Sequence, residues 1–254
     1  RSLGRDLASH LTHWHGRLKD MPPSRLPYDR DGDQARRGRS FFFTGLETVT
    51  RLAAVARGNR VSLTILLLAA YQLALAAWSG QREILSAAYT ADRVNPRFQN
   101  SIGFLVVNMP VLARIEGGRS FKSFLLDFAR DYYGSYAHRE LSCELYEAIF
   151  APQKPFCSTV FNFIPLQKNF SAGALHAIPS FDGILTAPDA QRPSIYRDVY
   201  LGLSQHANGM LGKVFYNAGR LSPEAMENFI RHFGAVIDAI AADPDVKLES
   251  LTDR

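Results

Sequence analysis

Apolar positions along this chain change period several times, and each change predicts an element. Leu3, Leu7, His10, Leu11, Trp14 and Leu18 recur at three- and four-residue steps, which predicts a helix ending before Pro22-Pro23. Residues 20–38 are rich in Pro, Gly, Asp and Arg and read as a surface linker, followed by a short strand-like run at Phe41 to Phe43. Leu46, Val49, Leu52, Ala53 and Ala56 describe an amphipathic helix that Gly58-Asn59 would end. Ser62 is then the expected N-cap of a helix over Leu63 to Trp78, apolar nearly all round and stopped at Ser79-Gly80. That segment is shorter than the roughly 20 apolar residues a bilayer needs, and Gln72 sits in its middle, so it reads as a buried core helix.

Beyond it, Ile84 to Tyr89 and Ile102 to Ile115 read as strands separated by the polar turn Asp92 to Asn100. Asp92 and Arg93 are expected to pin that turn. Ser120 precedes a helix with Phe121, Phe124, Leu125, Phe128 and Tyr132 on its inner face, and Leu141 to Phe150 adds a short one. Strands follow at Cys157 to Ile164, Ile195 to Leu203 and Met210 to Tyr216, the last two joined through Asn208-Gly209. Between the first and second of these, residues 165–194 hold four prolines and little alternation, which predicts a long irregular and mobile excursion. Ser222-Pro223-Glu224 opens a final helix through Phe229, Phe233, Val236, Ile237 and Ile240. Helices mixed with consecutive strands give an α/β fold, a two-layer sandwich of mixed β-sheet covered by helices. Residues 1–38 form its leading helix and linker, and residues 39–254 the sandwich.

The chain has 254 residues, 46% apolar and 21% charged, which is an ordinary globular balance. Cys143 and Cys157 cannot make a disulfide framework, no Cys/His spacing suggests a metal site, and neither thiol has a partnered base in sequence. A reduced, cytoplasmic setting is the default. The first residues lack the apolar core of a secretory signal, and without a start methionine the chain reads as a piece of something longer. The net charge is +5, and the densest basic run is Arg30, Arg36, Arg37 and Arg39 within a Gly/Asp-containing stretch. These read as a solvated loop, because no interleaved aromatics or recognised motif point to nucleic acid.

Several collinear segments carry a resemblance. HWHGRLKDMPP at His13 to Pro23 and LPYDR at Leu26 to Arg30 resemble the YWxxxL…PP…LPxDR stretch of nonribosomal peptide synthetase condensation domains. Val61 to Leu85, ADRVNP at Ala91 to Pro96, IGFLVVNMPV at Ile102 to Val111, AHRELSCELY at Ala137 to Tyr146 and FNF at Phe161 to Phe163 resemble further family segments in the same order. The resemblance is to the C-terminal lobe. It implies half of a two-lobed, chloramphenicol-acetyltransferase-like domain that faces an N-terminal lobe across a tunnel. It also implies donor and acceptor carrier proteins, an adjacent adenylation domain, and substrates arriving as thioesters on phosphopantetheine with no directly bound cofactor. The implied reaction is acyl transfer: an acceptor amine attacks the donor thioester and forms an amide. Neither nucleic acid nor membrane is an expected partner. A noncatalytic condensation-like module that recruits carrier proteins or tailoring enzymes is the alternative.

The family's HHxxxDG motif, whose second histidine acts on the attacking amine, does not occur in this sequence, and the nearest string, HAIPSFDG at His176 to Gly183, has the wrong spacing. No catalytic residue is therefore assigned, and the isolated chain is expected to be inactive. His13 and His15 flank Trp14 on different helix faces, and His138 reads as a structural or surface histidine. Candidate tunnel residues are Asn162, Ser158 and Asn108. Strand periodicity turns Asn162 away from Phe161 and Phe163, where its amide could meet a thioester oxygen or the pantetheine, or else satisfy backbone neighbours. Ser158, four residues earlier, shares its parity. At Val107-Asn108 the family pattern is offset by one residue, and one step in a strand reverses the facing of a side chain.

Overall fold

A computed structural model describes residues 3–22, 25–32, 36–91, 106–150, 157–165 and 197–253. The turn bearing Asp92 and Arg93, the HAIPSFDG string and nearly all of the 165–194 excursion lie outside the described residues. In chain order the elements are α1 (Leu3–Leu18), β1 (Arg37–Gly45), α2 (Leu46–Gly58), α3 (Leu63–Ser79), β2 (Glu83–Ala91) and β3 (Val106–Arg114). Then follow α4 (Phe121–Tyr136), α5 (Cys143–Phe150), β4 (Thr159–Ile164), β5 (Val199–His206), β6 (Gly209–Asn217), α6 (Pro223–Ala242) and α7 (Leu248–Thr252). The short α7 has no counterpart in the periodicity reading.

The strands form one mixed sheet in the order β1-β6-β5-β4-β2-β3. β4 runs parallel to both β2 and β5, while the remaining pairs are antiparallel. One sheet face is covered by α2, α3 and α6, packed through aromatic contacts such as Phe42 with Phe233 and Tyr71 with both Phe161 and Phe229. Near the other edge, α4 packs on β3 and α3, and α5 on β3 and α1. This is the expected α/β architecture.

Local signals place the helix ends. The side chains of Ser62, Ser120 and Ser222 accept hydrogen bonds from the backbone N–H three residues on, and Gly80 closes α3 in the left-handed region, φ 70°. Residues 65–78 of α3 are buried throughout, and Gln72 is accommodated by donating to the Ser86 hydroxyl at 3.0 Å. Among the described residues no single helix is long and apolar enough to cross a membrane.

Two expectations about the amino-terminal segment are corrected. β1 begins at Arg37, so Arg37 and Arg39 belong to a strand, with the Arg37 guanidinium 5.5 Å from the Phe215 ring centroid. Pairing with β6 explains this, because a full ladder from Arg37↔Asn217 to Gly45↔Gly209 satisfies backbone groups that a solvated loop would leave to water. The described part of the linker is also pinned: Asp29 and Arg30 donate their N–H groups to the Arg220 carbonyl, and Tyr28 donates to Asp198 at 2.7 Å. In α1, Trp14 and Leu18 are buried while Leu7 is exposed, so the described part of the predicted stripe packs most deeply towards its carboxyl end.

Candidate substrate-binding face

The face of the sheet opposite α2, α3 and α6 carries the candidate site. Phe161 is 1% exposed and its ring lies 5.4 Å from that of Tyr71 in α3, so alternation sends its neighbour Asn162 to the other face. Ladder register extends that assignment across the sheet. Ala88 pairs with Phe161, which puts Tyr89 on Asn162's side; Tyr89 pairs with Asn108, and Asn162 pairs with Gly202. Tyr200 pairs with Val160 on one side and Phe215 on the other, so both belong to the same face. Phe41, Phe43, Tyr89, Val106 and Ile164 are the large apolar residues this face exposes, Phe43 most of all at 59%.

A continuous aromatic row crosses it. Tyr89 and Tyr200 have ring centroids 5.8 Å apart, and Tyr200 and Phe215 5.9 Å apart. Asn162 is half-buried beside this row, and its Nδ2 donates to the Tyr200 hydroxyl at 3.0 Å. Burial pushes the Tyr200 phenol up despite the Asn162 bond, so it remains a protonated donor at neutral pH. Neither Tyr200 nor Tyr89 was singled out from sequence. Each stands at the correct parity of its strand, but their meeting depends on strands separated by more than a hundred residues.

The three candidates from sequence are thus separated. Asn108 is half-buried on the same face as Asn162, one strand beyond Tyr89, with Val107 on the opposite side. Ser158 is elsewhere. It precedes β4, is only 3% exposed, and hydrogen-bonds the Tyr28 side chain, beside Asp198, which also accepts from Arg220 at 3.2 Å and Asn217 at 3.2 Å. Parity alone does not reveal this, because the Leu26 to Arg30 segment closes over that end of the strand. Burial, together with the Asp198 hydrogen bond, pushes the Tyr28 phenol well above its ordinary range.

Two further clusters went unread in the sequence. His10 and His13, three residues apart on α1, meet His138: the two Nδ1 atoms of His10 and His138 are 3.0 Å apart, and the His13 and His138 rings stack at 4.0 Å. Burial first, then the nearby His138 and Arg17, push His13 down to about 4; burial and His10 lower His138. The i,i+3 spacing of His10 and His13 was the available signal. Elsewhere, Cys143 and Cys157 meet at 2.9 Å between sulfurs, both fully buried, near Arg197. Arg197 donates to Glu147 at 2.5 Å and to the Cys157 carbonyl at 2.7 Å. Burial opposes its charge, but the hydrogen bond to Glu147, with Cys143, Cys157 and the Glu147 charge beside it, outweighs that and holds its proton more tightly. Among the described residues no group of three or more His, Cys, Asp or Glu is arranged to hold a metal ion.

Comparison with known proteins bears on this geometry. The family profile described as "Condensation domain" matches residues 1–253. One of the linear gramicidin synthase proteins of Brevibacillus parabrevis is 26% identical over 253 residues, covering 96% of this chain and 5% of its own length. The chain is therefore similar to a small part of that relative. A four-domain nonribosomal peptide synthetase bound to AMP and glycine superposes with a TM-score of 0.78 at 18% identity, over 96% of this chain and 20% of that one. The condensation domain of the monacolin K polyketide synthase superposes with a TM-score of 0.77 at 14% identity, over 97% of this chain and 60% of that one. At such identities the solved structures establish the shared chloramphenicol-acetyltransferase-like fold.

Proposed function

The chain belongs to the condensation-domain family, and from that premise we propose that it is the C-terminal lobe of a nonribosomal peptide synthetase condensation domain, whose open sheet face forms one wall of the reaction tunnel. What supports this reading is the family match along residues 1–253, combined with an aromatic sheet face, opposite α2, α3 and α6, that carries Asn162, Tyr89 and Tyr200, with Asn108 on the same face and its side-chain oxygen buried. An N-terminal lobe would face it and supply the HHxxxDG histidine that this sequence does not contain. Donor and acceptor carrier proteins would deliver thioesters on phosphopantetheine arms, and an adenylation domain would load the acceptor carrier. The setting is cytoplasmic, where the two buried thiols stay reduced.

The chemistry is acyl transfer. The acceptor amine forms a C–N bond to the donor carbonyl, the C–S bond breaks, and the departing thiolate takes up the proton that the amine loses. Side chains on the open face contribute binding and orientation, holding the two thioesters at attack distance. Recruitment without catalysis, the alternative from sequence, is not favoured by relatives that are peptide synthases. The test is a condensation assay on the parent protein with carrier-loaded donor and acceptor, following the amide product by mass spectrometry. Amide formation that requires both carriers is the expected result, and its absence overturns the assignment.

A further inference from the structure

Asn162 and Tyr200 form a paired hydrogen-bonding unit whose geometry depends on a residue without a side chain. Tyr200 pairs with Val160 and Gly202 with Asn162, so the Tyr200 ring must lean along its own strand, over Gly202, for its hydroxyl to reach the Asn162 amide. A Cβ at Gly202 would stand 2.8 Å from Tyr200 Cε1 and 2.9 Å from its hydroxyl oxygen. Any larger residue there displaces the ring. Tyr89 and Phe215 both make tilted ring contacts with Tyr200, at 5.8 and 5.9 Å between centroids, and support the ring in its lean.

The direction of the bond decides what the pair offers. Asn162 Nδ2 donates and the Tyr200 oxygen accepts, so the phenolic proton and the Asn162 Oδ1 remain to face a ligand. One donor and one acceptor side by side on an aromatic wall complement a group that carries a carbonyl and an N–H together. We infer that Asn162 and Tyr200 form a subsite for a secondary amide in an extended ligand chain, with Tyr200 donating to its carbonyl, Asn162 accepting from its N–H, and Gly202 positioning Tyr200. This deepens the proposed function and rests on it. Such an amide has two sources in a tunnel for carrier-bound thioesters: the thiol-bearing arm and the peptide already attached to it.

The experiment compares thioester donors in the parent condensation-domain protein. An aminoacyl thioester of N-acetylcysteamine carries an arm amide; the matching 2-acetoxyethyl thioester replaces that N–H by oxygen and keeps the carbonyl. A dipeptidyl 2-acetoxyethyl thioester and its depsipeptide counterpart place the same contrast in the peptide. The parental protein is expected to prefer one amide over its ester by about five- to tenfold in kcat/KM, the worth of one buried hydrogen bond. Asn162→Leu should abolish that preference. Tyr200→Phe should lower amide and ester alike by about the same factor and preserve their ratio, and Gly202→Ala should reproduce Tyr200→Phe. The donor in which the preference appears identifies the arm or the peptide as the source. Retained parental selectivity in Asn162→Leu, or full activity in Tyr200→Phe, overturns the subsite while leaving the condensation reading intact. No turnover by the parental protein overturns both. Thermal midpoints of all variants separate loss of recognition from loss of folding.

Discussion

At the scale of single residues, period-two geometry makes Asn162 legible, and its placement opposite the buried Phe161 follows from the FNF string alone. Replacing it by Ala in the parent domain should slow condensation about fivefold or more, with a thermal midpoint close to that of the parent, because a half-buried side chain on the uncovered face contributes little to packing. The histidines are a different case. His13 faces His10 on its own helix, His138 beyond α4, Arg17 and Asp131, while His10 also lies 3.6 Å from Glu140. The unfolded chain protonates His13 below about 6.5, whereas the folded chain resists until about 4. Stability is therefore intact above that upper value, falls as pH drops through the interval and levels off below it. Solvent screening at this half-exposed site limits the loss to the order of 1 kcal/mol. Urea titrations at pH 7 and pH 4.5 check this, and His13→Gln should flatten the difference between them.

Elements depend on contacts that the sequence encodes only in part. The Ser222-Pro223 helix start is visible locally, but its second support is not: Asp29, far upstream, accepts from the Ser222 N–H at 2.8 Å and from its hydroxyl. Hydrogen bonds from Ser222 hold the Asp29 carboxyl below its usual range. This gives the LPYDR string a physical role, locking the leading segment onto the turn between β6 and α6. Asp29→Ala should cost about 1 kcal/mol, read from the urea midpoint at neutral pH. Where β1 meets β6, Gly212 lies opposite Phe42, and a Cβ there would come within 2.2 Å of the Phe42 ring that packs on Phe233. Gly212→Ala should destabilise by about 1–3 kcal/mol, and Phe42→Leu in the same chain should recover part of it.

For the whole molecule, the expected behaviour is that of a folded lobe without catalysis. The 254-residue chain should show a cooperative thermal transition and form no amide when given loaded donor and acceptor carriers, since HHxxxDG is absent from it. Amide formation by the purified chain is the result that would sink this expectation. Most helix faces, most caps, the order of the six strands along the chain, the limits of β2, β4 and β6 and the buried nature of α3 were determined by the sequence alone, because hydrophobic period and capping chemistry act over a few residues. The extent of β1 was hidden, because Arg37 and Arg39 look like solvated loop residues until β6 supplies their ladder. Tertiary structure alone decided that Ser158 is shut beneath Tyr28 while Asn162 stands open, and that Tyr200 crosses Gly202 to reach it. The physical reason is shared by all three. Strand parity is a local property, whereas what covers a face, and which side chains meet across it, is set by the register of strands far apart in sequence.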